Sequence, residues 1–138
     1  MIMHISHTAE INDSVENIWR RLSSLEGVET YLPIVNKSKV DGKGKGAIRI
    51  SDINIGNQFF QIQEKILDFD DSKHFFTTLL EDAPIQIRGM QFNFLLNSKG
   101  EKKSTLTMST SVVNPDSQSM AKNFFELIGQ GLKRIHEL

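Results

Sequence analysis

The sequence predicts an α+β domain in which a curved, antiparallel, seven-stranded sheet wraps around one long helix. Three observations predict it. The last segment, Asp116 to Leu138, is amphipathic at helical spacing, with Met120, Phe124, Leu127, Ile128, Gly131, Leu132 and Ile135 on one face. Lys122, Glu126, Lys133 and Glu137 occupy the other face. Between Asn36 and Val113 the pattern changes to two-residue alternation broken by turn residues. The connections in that stretch are short, which favours antiparallel neighbours and keeps the helices to one side of the sheet.

Taken in order, Met3 to Ile11 reads as the first strand. Asn12-Asp13-Ser14 turns the chain, and Asp13 with Glu16 resembles a capping box in which Asp replaces Ser or Thr. Val15, Ile18, Trp19 and Leu22 then define a short amphipathic helix with Arg20 and Arg21 outside. A second short helix is expected over Leu25 to Leu32, with Leu25, Val28 and Leu32 inward and Pro33 ending it. Strands follow at Lys37 to Val40 and Gly46 to Ile53, joined by Asp41-Gly-Lys-Gly-Lys45, and then at Gln58 to Phe69. His74 to Glu81 is the next strand, reached through Asp70-Asp71-Ser72-Lys73. After the break at Asp82-Ala-Pro84, Arg88 to Leu96 alternates, with Met90, Phe92, Phe94 and Leu96 on one face. Asn97 to Gly100 turns the chain into the last strand, Ser104 to Val113. Pro115 and Asp116 then start the long helix. Gly129 and Gly131 are costly inside it, at about 1 kcal/mol each relative to alanine. They either let the backbone approach the sheet or leave room for a guest.

Residues 1–138 are read as a single domain, long enough to bury a substantial core. A net charge of -1 argues against nucleic acid or an anionic membrane surface as partner. The absence of cysteine excludes disulfides, thiol catalysis and cysteine metal sites, and fits a cytoplasmic setting. No apolar run approaches the ~18 residues that stable membrane insertion requires. The first residues read as a strand and not as a signal peptide. His4, His7, His74 and His136 are scattered and form no metal-ligand spacing, so neither a metal nor another cofactor is expected. No G-x-S-x-G or phosphate-loop pattern is present. The state expected is a monomer or a homodimer.

Several motifs carry a family resemblance across nearly the whole chain. Val15-Glu-Asn-Ile-Trp19 is similar to a "V-x-x-V-W" first helix, and Tyr31-Leu-Pro33 precedes the second strand. Gly42-Lys-Gly-Lys-Gly46-Ala-Ile-Arg49 resembles a "G-x-G-x-G-x-x-R" hairpin, and Gln63-Glu64-Lys-Ile-Leu-Asp68 an "x-E-x-I/L-x-x-x-D" strand and turn. In this order they resemble the helix-grip superfamily of SRPBCC and START domains. That superfamily includes polyketide cyclase/dehydrase-like proteins, the birch-pollen allergen family and the abscisic acid receptors. The resemblance implies a sheet gripping the C-terminal helix around a mostly apolar cavity, but not one function, since these folds host carriers, receptors and cyclases. It also departs from the hormone receptors. Ile53-Asn-Ile-Gly-Asn57 replaces their gate loop, their latch is missing near Pro84 to Arg88, and Asn36 stands in place of their ligand-binding lysine.

Glu64 is the leading candidate for chemistry. It shares strand parity with Phe60, Ile62 and Ile66, which sets a carboxylate on an apolar face, and the matching glutamate of the receptors faces the cavity. Desolvated there, it would have a raised pKa and serve as ligand donor or acid/base. The bland reading pairs it with Arg49 or Arg88 as a structural ion. Arg49 could neutralise it or hold a ligand carboxylate. Ile48 and Ile50 point inward by alternation, which puts Arg49 outside unless a bulge near Ser51-Asp52 reverses it. Arg88 continues the inward parity of Met90 and Phe92 at the strand's mouth end, as cavity rim or solvated end. Phe60, Ile62, Met90, Phe92, Phe94, Met108, Phe124 and Ile128 would form the apolar wall.

The function expected is therefore binding or carriage of a small hydrophobic or amphipathic molecule of lipid, polyketide or aromatic type. The alternatives are a polyketide cyclase/dehydratase-like enzyme using Glu64 as acid/base, and a protein-interaction module with a filled core. A cavity of several hundred Å³, on the scale of small-molecule sites, separates the first two from the third.

Overall fold

The computed structural model describes residues 1–138. The strands are β1 (Met3–Ile11), β2 (Val35–Asp41), β3 (Ile48–Ile55), β4 (Gln58–Asp70), β5 (Phe75–Asp82), β6 (Gln91–Gly100) and β7 (Lys103–Val112). The helices are α1 (Val15–Ser24) and α2 (Pro115–His136), with a 3-10 turn over Val28–Thr30. All seven strands form one antiparallel sheet in the order β1-β7-β6-β5-β4-β3-β2. The α+β architecture expected from the sequence is the one observed.

Curvature has a local cause in β4. Its pairing with β5 shifts register at Gln63/Glu64 and again at Ile66/Asp68. Each bulge bends the strand and increases its twist, so the sheet closes over the helix. The β2–β3 turn needs its glycines, because Gly42 and Gly46 hold φ of 92° and 89°, where a Cβ is strained.

Several elements differ from expectation. The second helix over Leu25 to Leu32 does not form. Leu25 ends α1 in the left-handed conformation (φ 66°) and Gly27 adopts it again (φ 71°), so helical geometry survives only in the 3-10 turn. Leu25, Val28 and Leu32 are nevertheless buried, as their spacing implied. The N-cap of α1 is Ser14, whose side chain accepts from Asn17 N at 3.2 Å. Asp13 instead accepts from Ser14 N and the Asn17 side chain. β6 starts at Gln91, not Arg88, because Gly89 (φ 82°) breaks the strand ahead of it. It also runs on through Asn97 to Gly100, and the turn falls at Glu101 and Lys102.

Helix α2 begins at Pro115 behind Asn114, whose side chain accepts from Ser117 N at 2.9 Å. Its fully buried seam is Ser117, Ala121, Phe124, Phe125, Gly129, Gly131 and Leu132, while Met120, Leu127, Ile128 and Ile135 are half-buried. The apolar face is thus broader than the expected stripe and takes in Ala121 and Phe125. Both glycines lie at close approaches. A Cβ on Gly131 would stand 1.8 Å from the Tyr31 carbonyl oxygen, and one on Gly129 would stand 3.0 Å from the Ala9 Cβ. Of the two explanations the sequence left open, backbone approach is the one realised.

A polar clasp fixes the far end of α2 to α1. Arg21 Nε donates to His136 Nε2 at 3.0 Å, so the ring proton sits on Nδ1 and goes to Asp13 Oδ2 at 2.7 Å. Burial pushes the Asp13 carboxyl up, but hydrogen bonds from His136, Asn17 and the Ser14 amide outweigh it and hold the group below its ordinary range. A carboxyl lowered on folding stabilises fully above its unfolded pKa and loses that contribution as pH falls through the folded value. In acid-unfolding experiments Asp13→Asn should therefore be less stable than the wild type near neutrality. The gap should close once pH drops below the lowered value, and a gap independent of pH would contradict the assignment.

Candidate functional site

The site grows from three neighbouring strands. Arg49 on β3 stands opposite Glu64 on β4, and Glu64 opposite Leu80 on β5, beside Thr78. Ala47, Ser51 and Ile53 are buried and Arg49 reaches the buried Glu64, so the inward residues of this stretch of β3 are the odd-numbered ones. This corrects the expectation that Ile48 and Ile50 point inward. No bulge interrupts β3 at Ser51 or Asp52, since its pairing with β4 runs unbroken from Ile48 to Ile55. The irregularity lies across the sheet edge, at Val35/Lys37 of β2.

Arg49 and Glu64 form a two-pronged ion pair. Nε donates to Oε1 at 2.9 Å and Nη2 to Oε2 at 3.2 Å. Arg49 Nη1 also donates to the Leu25 carbonyl at 3.2 Å, using the oxygen that the early end of α1 turns inward. Thr78 Oγ1 donates to Glu64 Oε2 at 3.2 Å. Both charged side chains are only 11% exposed. Burial opposes the charge on Arg49, but attraction to Glu64 and contact with the Tyr31 phenol outweigh it and hold its pKa above the ordinary arginine value. Tyr31 is the fourth polar residue. Burial holds its phenol above the ordinary tyrosine range, with Arg49 pulling the other way. The Tyr31 hydroxyl donates in none of the four hydrogen bonds above, and its side chain lines the adjoining cavity.

That cavity has a volume of about 60 Å³ and is walled mainly by apolar side chains. It lies between the sheet and α2, where Ile62, Phe92, Phe94, Phe124 and Ile128 meet Arg49 and Glu64. It is smaller than the several hundred Å³ of a ready-made small-molecule site. Phe76 and Phe94, stacked at 4.7 Å, fill part of the space. A larger, open cleft of about 440 Å³ lies outside it, bounded by the β3–β4 hairpin, the β5–β6 loop and the first half of α2.

No protein-family profile matches this sequence, and no curated protein matches it. Solved structures do match. An uncharacterised protein from Bacillus thuringiensis superposes with a TM-score of 0.82 at 18% identity, covering 99% of this chain and 100% of the other. The protein XoxI from Bacillus cereus gives 0.79 at 19% identity, covering 96% and 94%. The ZhuI aromatase/cyclase from Streptomyces sp. R1128 gives 0.72 at 12% identity, covering 98% and 96%. This chain has the helix-grip fold. At these identities the likeness establishes architecture, and the helix-grip fold of the SRPBCC and START domains is what the motifs implied.

Within the helix-grip frame, most expected site residues converge. Glu64, Arg49, Ile62, Phe92, Phe94, Phe124 and Ile128 all line the cavity. Four do not. Phe60 lines the outer cleft. Met108 is fully buried, packed towards Gly129 and away from the cavity. Met90 is half-buried just ahead of β6. Arg88 is exposed in the β5–β6 loop, where Nε donates to the Ala83 carbonyl at 3.0 Å and stands 3.8 Å from Asp82. Gly89 ends the parity argument that had turned Arg88 inward. Tyr31 and Thr78 were not anticipated. Thr78 had a signal, since it shares parity on β5 with the buried Phe76 and Leu80. Tyr31 had none beyond its place before Pro33, because the turn that aims it inward depends on the left-handed residues preceding it.

Proposed function

We propose that this protein binds a small hydrophobic or amphipathic molecule between the sheet and α2. The observation that carries the reading is a buried polar cluster set into an otherwise apolar cavity wall. Such a cluster is a poor device for stability. Replacing a buried ion pair by apolar groups of similar volume is often neutral or stabilising, so its desolvation calls for another use. Arg49 and Glu64 neutralise each other, which makes the wall polar without a net charge. The Tyr31 hydroxyl adds a neutral donor on the same wall. The lining, apolar with a few convergent polar groups, has the composition of a small-molecule site, but the volume of about 60 Å³ does not reach one, so binding requires the surrounding side chains to move.

Native mass spectrometry of protein purified from its own source tests the reading, with a co-purifying small molecule as the expected result. Tyr31→Phe should weaken retention of that molecule about tenfold, since one hydrogen bond in a buried site is worth about 1.4 kcal/mol. Retention unchanged in Tyr31→Phe would remove the phenol from the site. A protein that emerges empty, and that a panel of lipids and aromatic compounds does not stabilise thermally, would sink the binding reading.

A second reading is an enzyme of aromatase/cyclase type, supported by the likeness to the ZhuI aromatase/cyclase. Arg49 and Thr78 do stand within hydrogen-bond reach of Glu64. However, Glu64 is the acceptor in all its contacts, with both oxygens engaged. On this reading Glu64 would accept rather than donate the proton, since burial makes the Tyr31 phenol a weak acid.

A further inference from the structure

Phe124 is the one side chain that lines both the inner cavity and the outer cleft. The lining elements run from one space into the other. On β3, Ile53 faces the cavity and Ile55, two residues on, faces the cleft. On β4, Ile62 and Phe60 divide in the same way, as do Ile128 and Met120 on α2, with Phe124 midway between these last two at helical spacing. The two volumes therefore adjoin at the Phe124 ring. Phe124 is 6% exposed and belongs to a helix whose far half is held tightly by Gly131 and the His136 clasp. Its near half carries the half-buried Met120 and borders the open cleft, so the space into which the ring can turn lies on that side.

Resting on the binding reading above, we infer that Phe124 is a gate, and that the ligand it admits is an elongated, uncharged amphipathic molecule with a hydroxyl or carbonyl at one end. With the ring turned aside, cavity and cleft join into a space within the roughly 300–1,000 Å³ of small-molecule sites. The inner part has room only for the polar end, beside the Tyr31 hydroxyl and the Arg49–Glu64 pair. The remainder lies along Phe60, Met120 and Leu127 in the outer cleft, whose other side carries polar groups such as Gln58, Asp116 and Asn123. A charged end group is disfavoured. A carboxylate would have to compete with Glu64 for Arg49, and a cation would have to compete with Arg49 for Glu64, each leaving one ion unpaired in a buried site.

The test is fluorescence titration of the full chain with N-phenyl-1-naphthylamine, an uncharged amphipathic aromatic probe, in wild type, Phe124→Ala and Phe124→Trp. The gate predicts binding at least tenfold tighter in Phe124→Ala and at least tenfold weaker in Phe124→Trp. Should Phe124→Ala fail to fold, Phe124→Leu serves the same comparison, with a smaller gain. Wild-type binding that differs less than twofold among the folded variants overturns the gate and leaves the binding reading intact. No binding by any variant, including the one with the ring removed, overturns both.

Discussion

Glu64→Ala is expected to destabilise the protein by about 3–5 kcal/mol, because it strands a buried guanidinium. Arg49 would keep the Leu25 carbonyl and the Tyr31 phenol as neutral partners but no counter-charge, while its side chain remains 11% exposed. Against a typical stability of 5–15 kcal/mol this is a large fraction of the total, equivalent to a melting temperature lower by about 10–20 °C for a domain of this size. The double replacement Arg49→Met with Glu64→Leu removes both charges together and should fall close to wild type or above it. Chemical denaturation of the three proteins measures this directly. A loss under about 1 kcal/mol in Glu64→Ala would mean that water or a rotated Arg49 relieves the charge, and that the pair is not sealed as described. The double variant also separates stability from function. If it is folded and stable yet retains no ligand, the ion pair is kept for recognition. If it binds as well as wild type, the polar end of the ligand is recognised elsewhere.

Much of this arrangement was legible in the sequence because it rests on periodicity. The parity of Phe60, Ile62, Glu64 and Ile66 set Glu64 inward without any knowledge of tertiary structure, and it is buried. The inward side of β6 was equally clear from Phe92, Phe94 and Leu96. Periodicity failed where one residue in an unusual backbone conformation resets the phase. Gly89 detached Arg88 from the strand it was expected to continue, and Leu25 turned an expected helix into a bend that presents its carbonyl to Arg49. On β3, isoleucine at 48, 50 and 53 gave no consistent parity, and only pairing with β4 decides that Arg49 opposes Glu64. The size of the cavity was not legible at all. It depends on how closely Phe76, Phe94 and Phe124 pack, which the residue types do not determine.

Gly131→Ala is expected to cost about 3 kcal/mol or more, although alanine is the better helix former by about 1 kcal/mol. The added methyl would stand 1.8 Å from the Tyr31 oxygen and 2.8 Å from its carbonyl carbon. Those are backbone atoms and cannot rotate away. Tyr31 is held by its amide on the Val28 carbonyl at 3.2 Å, and its oxygen receives Arg134 Nη2 at 3.4 Å. Either α2 retreats from the 3-10 turn or the turn moves with Tyr31, and both displace the phenol from the cavity wall. Gly129→Ala is the control. Its methyl would meet the Ala9 Cβ at 3.0 Å, a much milder approach than at Gly131, and the propensity gain offsets part of the strain. Thermal melts should place Gly129→Ala within about 1 kcal/mol of wild type and Gly131→Ala far below it. Ligand retention should fall in Gly131→Ala even at temperatures where it is fully folded, because Tyr31 has moved. Equal or greater stability in Gly131→Ala would show that α2 can back away from Tyr31 at little cost, and that the helix is gripped less tightly than this contact implies.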